Sequence, residues 1–392
     1  MRSNPIGNPD FAKIAYADLN RRIVLLLIPF LLLPAAAPAQ KKKKKNTEVD
    51  GLYPPVVLED KKQKPEITQT LPPPRELPSA VSGETDRLIF QVSPLSGRGL
   101  LSQQTRDALH ALQRSAHGAT ILKLRAFVAG SGDMRRIGDL IGELWTDKRT
   151  PLPALSVVQT GGLPMEGAQV VIESIAEEHR IVNASGVAFL AGQQGGSVDE
   201  SLSKLSGALK QAGMEDSDML HVTCFVRWLD ENRDAQHVLS QRFPNASVNY
   251  VQMQREYVST AAECEGVARA REAASPVKYM MPAPAGYSQV VIVSAPKVVF
   301  SSTQLAFGQQ PGDIRLAFER LQKSIAPLNA RLDTVAMSHI YVVSRGLTDT
   351  LRTVRSEFYS KTSPPASTML PIESLPSLDA SLGVDVVAVA DR

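Results

Sequence analysis

Only two of the 392 residues are cysteine, 5% are aromatic, and the formal charge of +3 is small for this length. Two cysteines exclude a disulfide-built scaffold and the paired-cysteine motifs that hold zinc. Few aromatics and a near-neutral charge balance exclude a base-stacking or phosphate-tracking surface, so nucleic acid is not expected as a partner. The six histidines (His110, His117, His179, His221, His237, His339) are scattered without metal-ligand spacing. There is no Gly-rich phosphate loop and no Gly-x-Ser-x-Gly elbow. No metal and no cofactor is expected.

The apolar run from Ile23 to Leu33 is about half the ~20 residues that span a bilayer. Arg21-Arg22 precede it, and Pro34-Ala35-Ala36-Ala37-Pro38-Ala39 follows with small residues at cleavage spacing. Residues 1–39 therefore read as a signal peptide with a twin-arginine option. The expected location is periplasmic or secreted, with no stable membrane span after cleavage. Lys41 to Lys45 oppose translocation, which keeps a membrane-anchored form as the alternative. Residues 40–83 hold seven prolines and many charges without periodicity. Such a segment buries too little to order itself and reads as a linker.

Beyond residue 84 the chain repeats itself three times. With 43% hydrophobic residues there is ample material for packed cores. The expected units are 84–180, 181–275 and 276–392. Each reads strand, helix, strand, helix, then a small-residue turn and closing strands. The turns are Pro153-Ala154-Leu155-Ser156, Pro244-Asn245-Ala246-Ser247 and Pro365-Ala366-Ser367-Thr368. From the turn Ser or Thr to a closing Ala (Ala176, Ala268, Ala390) is 20, 21 and 22 positions. In the first unit, Leu122, Leu124, Ala126 and Val128 alternate along one strand face, and Ile137, Leu140, Ile141 and Leu144 stripe a helix. Each unit is thus α+β, a sheet with two helices on one face. The uncovered sheet faces are expected to meet around a pseudo-three-fold axis, giving a monomeric single-chain pseudo-trimer.

Gly286-Tyr287-Ser288-Gln289-Val290 followed by Val298-Val299-Phe300-Ser301-Ser302-Thr303-Gln304 resembles the opening of the RidA (YjgF-like) reactive-intermediate deaminase family, also labelled L-PSP endoribonucleases. Pro-Ala-x-Ser, Leu-Pro (Leu163-Pro164, Leu375-Pro376) and Glu-x-Glu-x-x-Ala (Glu263, Glu265, Ala268) match its closing pattern. The resemblance implies three fused chorismate-mutase-like units, with ligand clefts between neighbours. It also implies hydrolysis of 2-imino or enamine acids to 2-oxo acids, with an Arg at the x of Pro-Ala-x-Ser clamping the carboxylate.

Here those three positions hold Leu155, Ala246 and Ser367, and none is Arg. Arg149 and Arg255 are the nearest replacements in sequence. A closing-strand acid is the family's second feature: Glu263 and Asp385 are the catalytic candidates, opposite Val171 in the first unit. Tyr287, Ser288, Gln304 and Gln193 are the ligand-binding candidates. Three functions stay open: a deaminase-type hydrolase, a small-metabolite binding module without chemistry, and an envelope scaffold. Neither charge nor aromatics support nuclease action. Cys224 and Cys264 are open between a disulfide and buried free thiols.

Overall fold

In a computed structural model, described over residues 74–130, 132–146, 149–255, 260–274, 276–280 and 286–391, the chain forms three sheets and six α-helices. The first stretch runs β1 (Ala80–Glu84), β2 (Leu88–Val92), α1 (Leu101–Ser115), β3 (Thr120–Ala129), α2 (Arg135–Leu144), β4 (Ala154–Thr160) and β5 (Val170–Glu177). The next runs β6 (Val187–Gly195), α3 (Val198–Gln211), β7 (Met219–Val226), α4 (Ala235–Arg242), β8 (Ser247–Gln252) and β9 (Ala262–Arg269). The last runs β10 (Val277–Met280), β11 (Val290–Val293), β12 (Lys297–Ser301), β13 (Gln304–Phe307), α5 (Pro311–Ile325), β14 (Ala330–Val342), α6 (Thr348–Arg355), β15 (Ala366–Pro371) and β16 (Ala380–Ala390). The leader assigned to residues 1–39 lies outside the described residues, as does the linker up to residue 73. Among the described residues no helix is long and apolar enough to cross a membrane.

The sheet orders are β2-β5-β3-β4, β10-β11-β6-β9-β7-β8 and β1-β12-β16-β14-β15, with β13 also on β16. One pairing scheme recurs in all three. A central strand (β3, β7 or β14) pairs parallel with the strand after its helix and antiparallel with the closing strand. Each central strand also carries a register shift at the matching place, at Ile121/Lys123, Met219/His221 and Val335/Met337. A bulge adds one residue and reverses the alternation beyond it. That is why Leu122 does not share a face with Leu124: Leu124 packs under the helices and Leu122 packs on the opposite side.

Helices cover one face of each sheet. Leu109, Leu112, Ile137 and Ile141 pack on the first sheet, Leu202, Leu205, Leu209 and Leu239 on the second, and Ile314, Phe318, Leu321 and Leu351 on the third. The helix starts follow from sequence. Ser197 accepts a hydrogen bond from the Glu200 backbone at the head of α3, and Pro311 opens α5 beside a Gln310–Asp313 capping box. The opposite sheet faces are also buried. Leu122, Phe189, Val291, Phe300 and Val387 share one cluster, and Phe127, Phe225, Val251, Tyr341 and Leu370 share another. Both draw on all three sheets.

Pairing does not follow chain order, and this corrects two sequence boundaries. Ala80–Glu84, assigned largely to the linker, is a strand whose partner is β12 of the third sheet, with Ala80 opposite Ser301. Residues 74–79 also pack: Arg75 donates to the Trp145 and Thr150 carbonyls, and its backbone lies against Gly142 of α2. Strands β10 and β11, assigned to the last unit, join the second sheet, where β11 pairs with β6 and β10 pairs with β11 at the edge. Edge strands with unpaired N–H and C=O groups draw in whichever strand reaches them, and here that strand comes from a neighbouring segment.

Register also corrects two sequence matches. Ile121, Met219 and Val335 oppose Ala176, Ala268 and Ala388, so Ala388 rather than Ala390 is the equivalent closing alanine. Leu124, Val222 and Ser338 oppose Leu155, Val248 and Ser367. Val248, not Ala246, therefore corresponds to Leu155 and Ser367.

Candidate functional site

Two polar constellations lie where the sheets meet. The first is a cleft of about 580 Å³ between the second and third sheets, within the size range of small-molecule sites. Strand β6 contributes Gln193 and Gln194 just past a register shift between Leu190 and Gln193, β9 contributes Glu263, and α3 contributes Lys204. The facing wall holds Tyr287, Ser367 of β15, and Arg352 and Arg355 of α6. The Gly192 backbone N–H donates to Thr368 Oγ1 at 3.0 Å and joins the walls at the cleft floor.

Glu263 is only 4% exposed, and Gln194 donates an amide hydrogen bond to its Oε2 at 3.0 Å. Burial, reinforced by the nearby Glu265 charge, pushes its carboxyl up to about 8 against the pull of the Gln194 bond. Glu263 therefore carries a proton at neutral pH and can donate it. Gly192 makes room for it: a Cβ there would stand 2.2 Å from Glu263 Oε1. Arg355 is half-buried, and its Nη1 reaches Ser367 Oγ at 3.5 Å. Burial draws its pKa down, yet a guanidinium stays cationic throughout the physiological range.

The cleft thus supplies the pair that the sequence lacks at one position. A guanidinium from α6 comes to the Ser367 position where the resemblance expects Arg. Arg255 serves elsewhere, donating to the Gly161 carbonyl at 2.7 Å, and neither it nor Arg149 lines the cleft. Helical spacing sets Arg355 beside the Leu351 and Val354 core stripe, at the flank of α6 where a half-buried cation can reach a cleft.

The remaining candidates fall out unevenly. Tyr287 and Gln193 line the cleft, although the Gln193 amide donates to the Ala191 carbonyl at 3.0 Å. Ser288 is fully buried and fastens a turn, its hydroxyl donating to the Pro364 carbonyl at 2.6 Å and its N–H to that of Pro365 at 3.0 Å. Gln304 sits on β13 opposite Val384, away from this cleft. Leu155 is held by backbone bonds to Ser302 and Thr303, and Ala246 packs against the second helical core. The acid comparison shifts by two residues. Glu263 shares its register position with Val171 and Gly383, whereas Asp385 corresponds to Glu173 and Glu265.

Those three acids build the second constellation. Arg125, Thr223 and His339 stand opposite Glu173, Glu265 and Asp385 respectively. Arg125 Nε and Nη2 both lie 2.7 Å from Glu173 Oε2, while its Nη1 lies 2.7 Å from Glu265 Oε1. The guanidinium also rests on Phe127 and Phe225, with ring centroids at 5.1 and 5.9 Å. Glu173 further accepts from Thr223 at 2.6 Å and Asn249 at 2.7 Å. Asp385 accepts from Ser156 at 2.6 Å, bonds His339 Nδ1 at 3.0 Å and lies 3.9 Å from Lys123 Nζ. His339 Nε2 reaches Glu265 Oε1 at 3.4 Å.

Lys123, Arg125, Glu173, Glu265 and Asp385 are buried and, with half-buried His339, line a cavity of about 60 Å³. Burial alone would raise the three carboxyls, but Arg125 holds Glu173 well below the usual range and Glu265 down to about 2, and Lys123 with His339 does the same for Asp385. Burial lowers Lys123 to about 8 despite Asp385. Three carboxylates thus face Arg125, Lys123 and His339, so the cluster is close to self-neutralising. That arrangement suits a register lock between sheets. Sequence reasoning missed it because Lys123 and Arg125 fall on the non-helical side of β3, where alternation ordinarily means solvent.

Cys224 and Cys264 are directly opposed on β7 and β9 and form a disulfide with Cα atoms 4.1 Å apart. Among the described residues no His, Cys, Asp or Glu cluster has the arrangement to hold a metal ion.

No protein-family model and no curated protein matches the sequence. Among solved structures, a YjgF-family protein from Neisseria meningitidis is similar at 16% identity, covering 30% of this chain and 96% of its own, with a TM-score of 0.23. A YjgF/YER057c/UK114-family protein from Mycobacterium tuberculosis is similar at 18% identity, covering 29% and 99%, with a TM-score of 0.23. A chorismatase is similar at 12% identity over 77% of this chain and 98% of its own, with a TM-score of 0.24. Structures described as YjgF-family or L-PSP proteins thus stand among the neighbours, each over about 30% of this chain and at low TM-score.

Proposed function

We propose that the cleft between the second and third sheets binds a small carboxylate ligand and hydrolyses reactive 2-imino acids to 2-oxo acids. The observation that carries this reading is the pairing of Arg355 at Ser367 with a protonated, buried Glu263 in one cavity. Arg355 and Ser367 hold the substrate carboxylate, where a guanidinium fork suits a planar anion. Glu263 gives its proton to the imine nitrogen as water oxygen attacks C2. The resulting carboxylate takes one proton of the added water and passes it to the amino nitrogen, then takes the remaining hydroxyl proton as ammonia leaves with the C–N electron pair. One water is consumed, one ammonia is released, and Glu263 regains its proton. A pKa near the working pH suits a group that must act as acid and then as base.

The recurring sheet scheme supports a chain of three fused RidA-like units acting as a single-chain pseudo-trimer. The Cys224–Cys264 disulfide supports an exported location, since cytosolic thiols are kept reduced.

The test is 2-oxo acid release by the full-length chain from freshly generated 2-aminoacrylate or 2-iminobutanoate. Release above the buffer rate that falls in Glu263→Gln and in Arg355→Gln is the expected result. Release no faster than buffer removes the hydrolase reading. Ligand binding that persists without turnover leaves the alternative, a metabolite-binding protein.

A further inference from the structure

The 3-10 turn Arg345–Leu347 and helix α6 together show the cleft a second pattern besides Arg355. Arg345, Thr348, Arg352 and Arg355 are spaced i, i+3, i+7 and i+10, and all four line the cavity. That spacing keeps the four on one side of the segment, flanking the buried stripe of Leu347, Leu351 and Val354. Arg345 and Arg352 are exposed, whereas Arg355 is half-buried. The basic groups therefore form a ladder from the mouth to the floor.

Lys204 faces them from α3. Glu263 is the single acid lining the cavity among the described residues, and it is protonated at neutral pH. Lys204 pairs with Glu200 at 2.7 Å and Arg352 with Asp349 at 3.4 Å, but both pairs are solvent-exposed and so are weak competitors for a ligand. No ion pair to Arg345 or Arg355 occurs among the described residues. One carboxylate at Arg355 leaves the outer cations unanswered.

Resting on the cleft reading above, we infer that the ligand is a dianion: a carboxylate at Arg355 and Ser367, and a second carboxylate or a phosphate at Arg345 and Arg352. Its two acidic groups lie along the ladder, with the reacting carbon near Glu263 at the floor.

Calorimetric titration of the full-length chain with 2-oxobutanoate, 2-oxoglutarate and phosphoenolpyruvate tests this at low and moderate salt and about pH 5, where a phosphate monoester carries about one charge and phosphoenolpyruvate is a dianion like 2-oxoglutarate. The dianions are expected to bind at least about tenfold more tightly than 2-oxobutanoate, with the excess shrinking as salt rises. In Arg345→Gln/Arg352→Gln the ratio of dianion to monoanion affinity should fall toward unity. Both positions are exposed, so folding is not at stake. Comparing 2-oxoglutarate with phosphoenolpyruvate identifies the second acid. Equal affinities for all three ligands, or a ratio unchanged in the double variant, overturn the dianion inference and leave the cleft reading standing. No binding of any of the three, with the Arg355→Gln chain behaving identically, overturns both.

Discussion

Glu263 and Glu265 stand two residues apart on one face of β9 and hold opposite charge states at neutral pH. Glu263 is raised to about 8 by burial without a cation, while Arg125 and His339 hold Glu265 at about 2 against the same burial. One strand thus feeds a proton donor to the cleft and a fixed negative charge to the junction of the sheets. Groups whose surroundings separate their pKa values are the usual basis of divided acid–base roles.

The first prediction concerns the pH dependence that Glu263 imposes. Its folded pKa lies above the unfolded value of 4.5, so the folded state binds more protons between about pH 4.5 and 8. Stability therefore falls as pH rises through that window, by as much as ~5 kcal/mol at 1.36 kcal/mol per unit. His339 is also raised, since Glu265 and Asp385 outweigh its burial, and it adds slope of the same sign. Urea unfolding of Glu263→Gln from pH 5 to 8 should show a shallower fall than the parent and greater stability at pH 8. Equal slopes would mean that Glu263 is ionised.

Lys123 acts in the adjoining window. Burial brings its folded pKa to about 8, below the unfolded 10.5, so the unfolded chain binds more protons between those values. Stability should recover from pH 8 toward pH 10, by roughly 3 kcal/mol at most. Beyond that, the raised hydroxyls of Tyr341 and Tyr359 reverse the trend. The parent chain is thus expected to show a local stability minimum near pH 8. In Lys123→Met the recovery should be absent.

Glu173 is the acid most deeply committed to the junction. Glu173→Ala leaves Arg125 with one carboxylate and strands the Thr223 and Asn249 donors. Breaking one side of such a buried pair costs about 3–5 kcal/mol, read as a lower urea midpoint. Arg136→Ala removes an exposed pair to Glu143 and should cost below about 1 kcal/mol.

Peptide mapping without reductant should recover Cys224 and Cys264 in one cross-linked fragment. Cys224→Ser/Cys264→Ser should lose about 2–4 kcal/mol by freeing the unfolded chain. Two free thiols per native chain in a thiol titration would contradict the bond.

Local periodicity carried much of the secondary structure. The Leu202, Leu205, Leu209 stripe and the Ile314, Phe318, Leu321 stripe sit on their sheets as helical spacing requires. Register was not legible. A single bulge residue in each central strand, such as the one between Ile121 and Lys123, changes which face Leu122 takes without altering composition. Counting from turn to closing alanine also overshot in the last segment, because β16 continues two residues past Ala388. The cleft was half-legible: Glu263, Tyr287 and Gln193 could be named, but Arg355 comes from a helix whose docking depends on tertiary packing. The buried charges could not be found, because a lysine and an arginine on a strand look the same in sequence whether they face water or three acids.

The pairing of β1 with β12 sets an order of events during synthesis. Among the described residues, the first strand to emerge from the ribosome has no partner until residues 297–301 have been made, by which time most of the protein has been translated. Throughout that interval the third sheet does not exist, and Ala80–Glu84 must wait as an open, pairing-competent segment. Closure over so long a loop is slow compared with local helix formation. An unpaired Ala80–Glu84 is therefore open to mispairing and to chaperone capture until the third sheet forms.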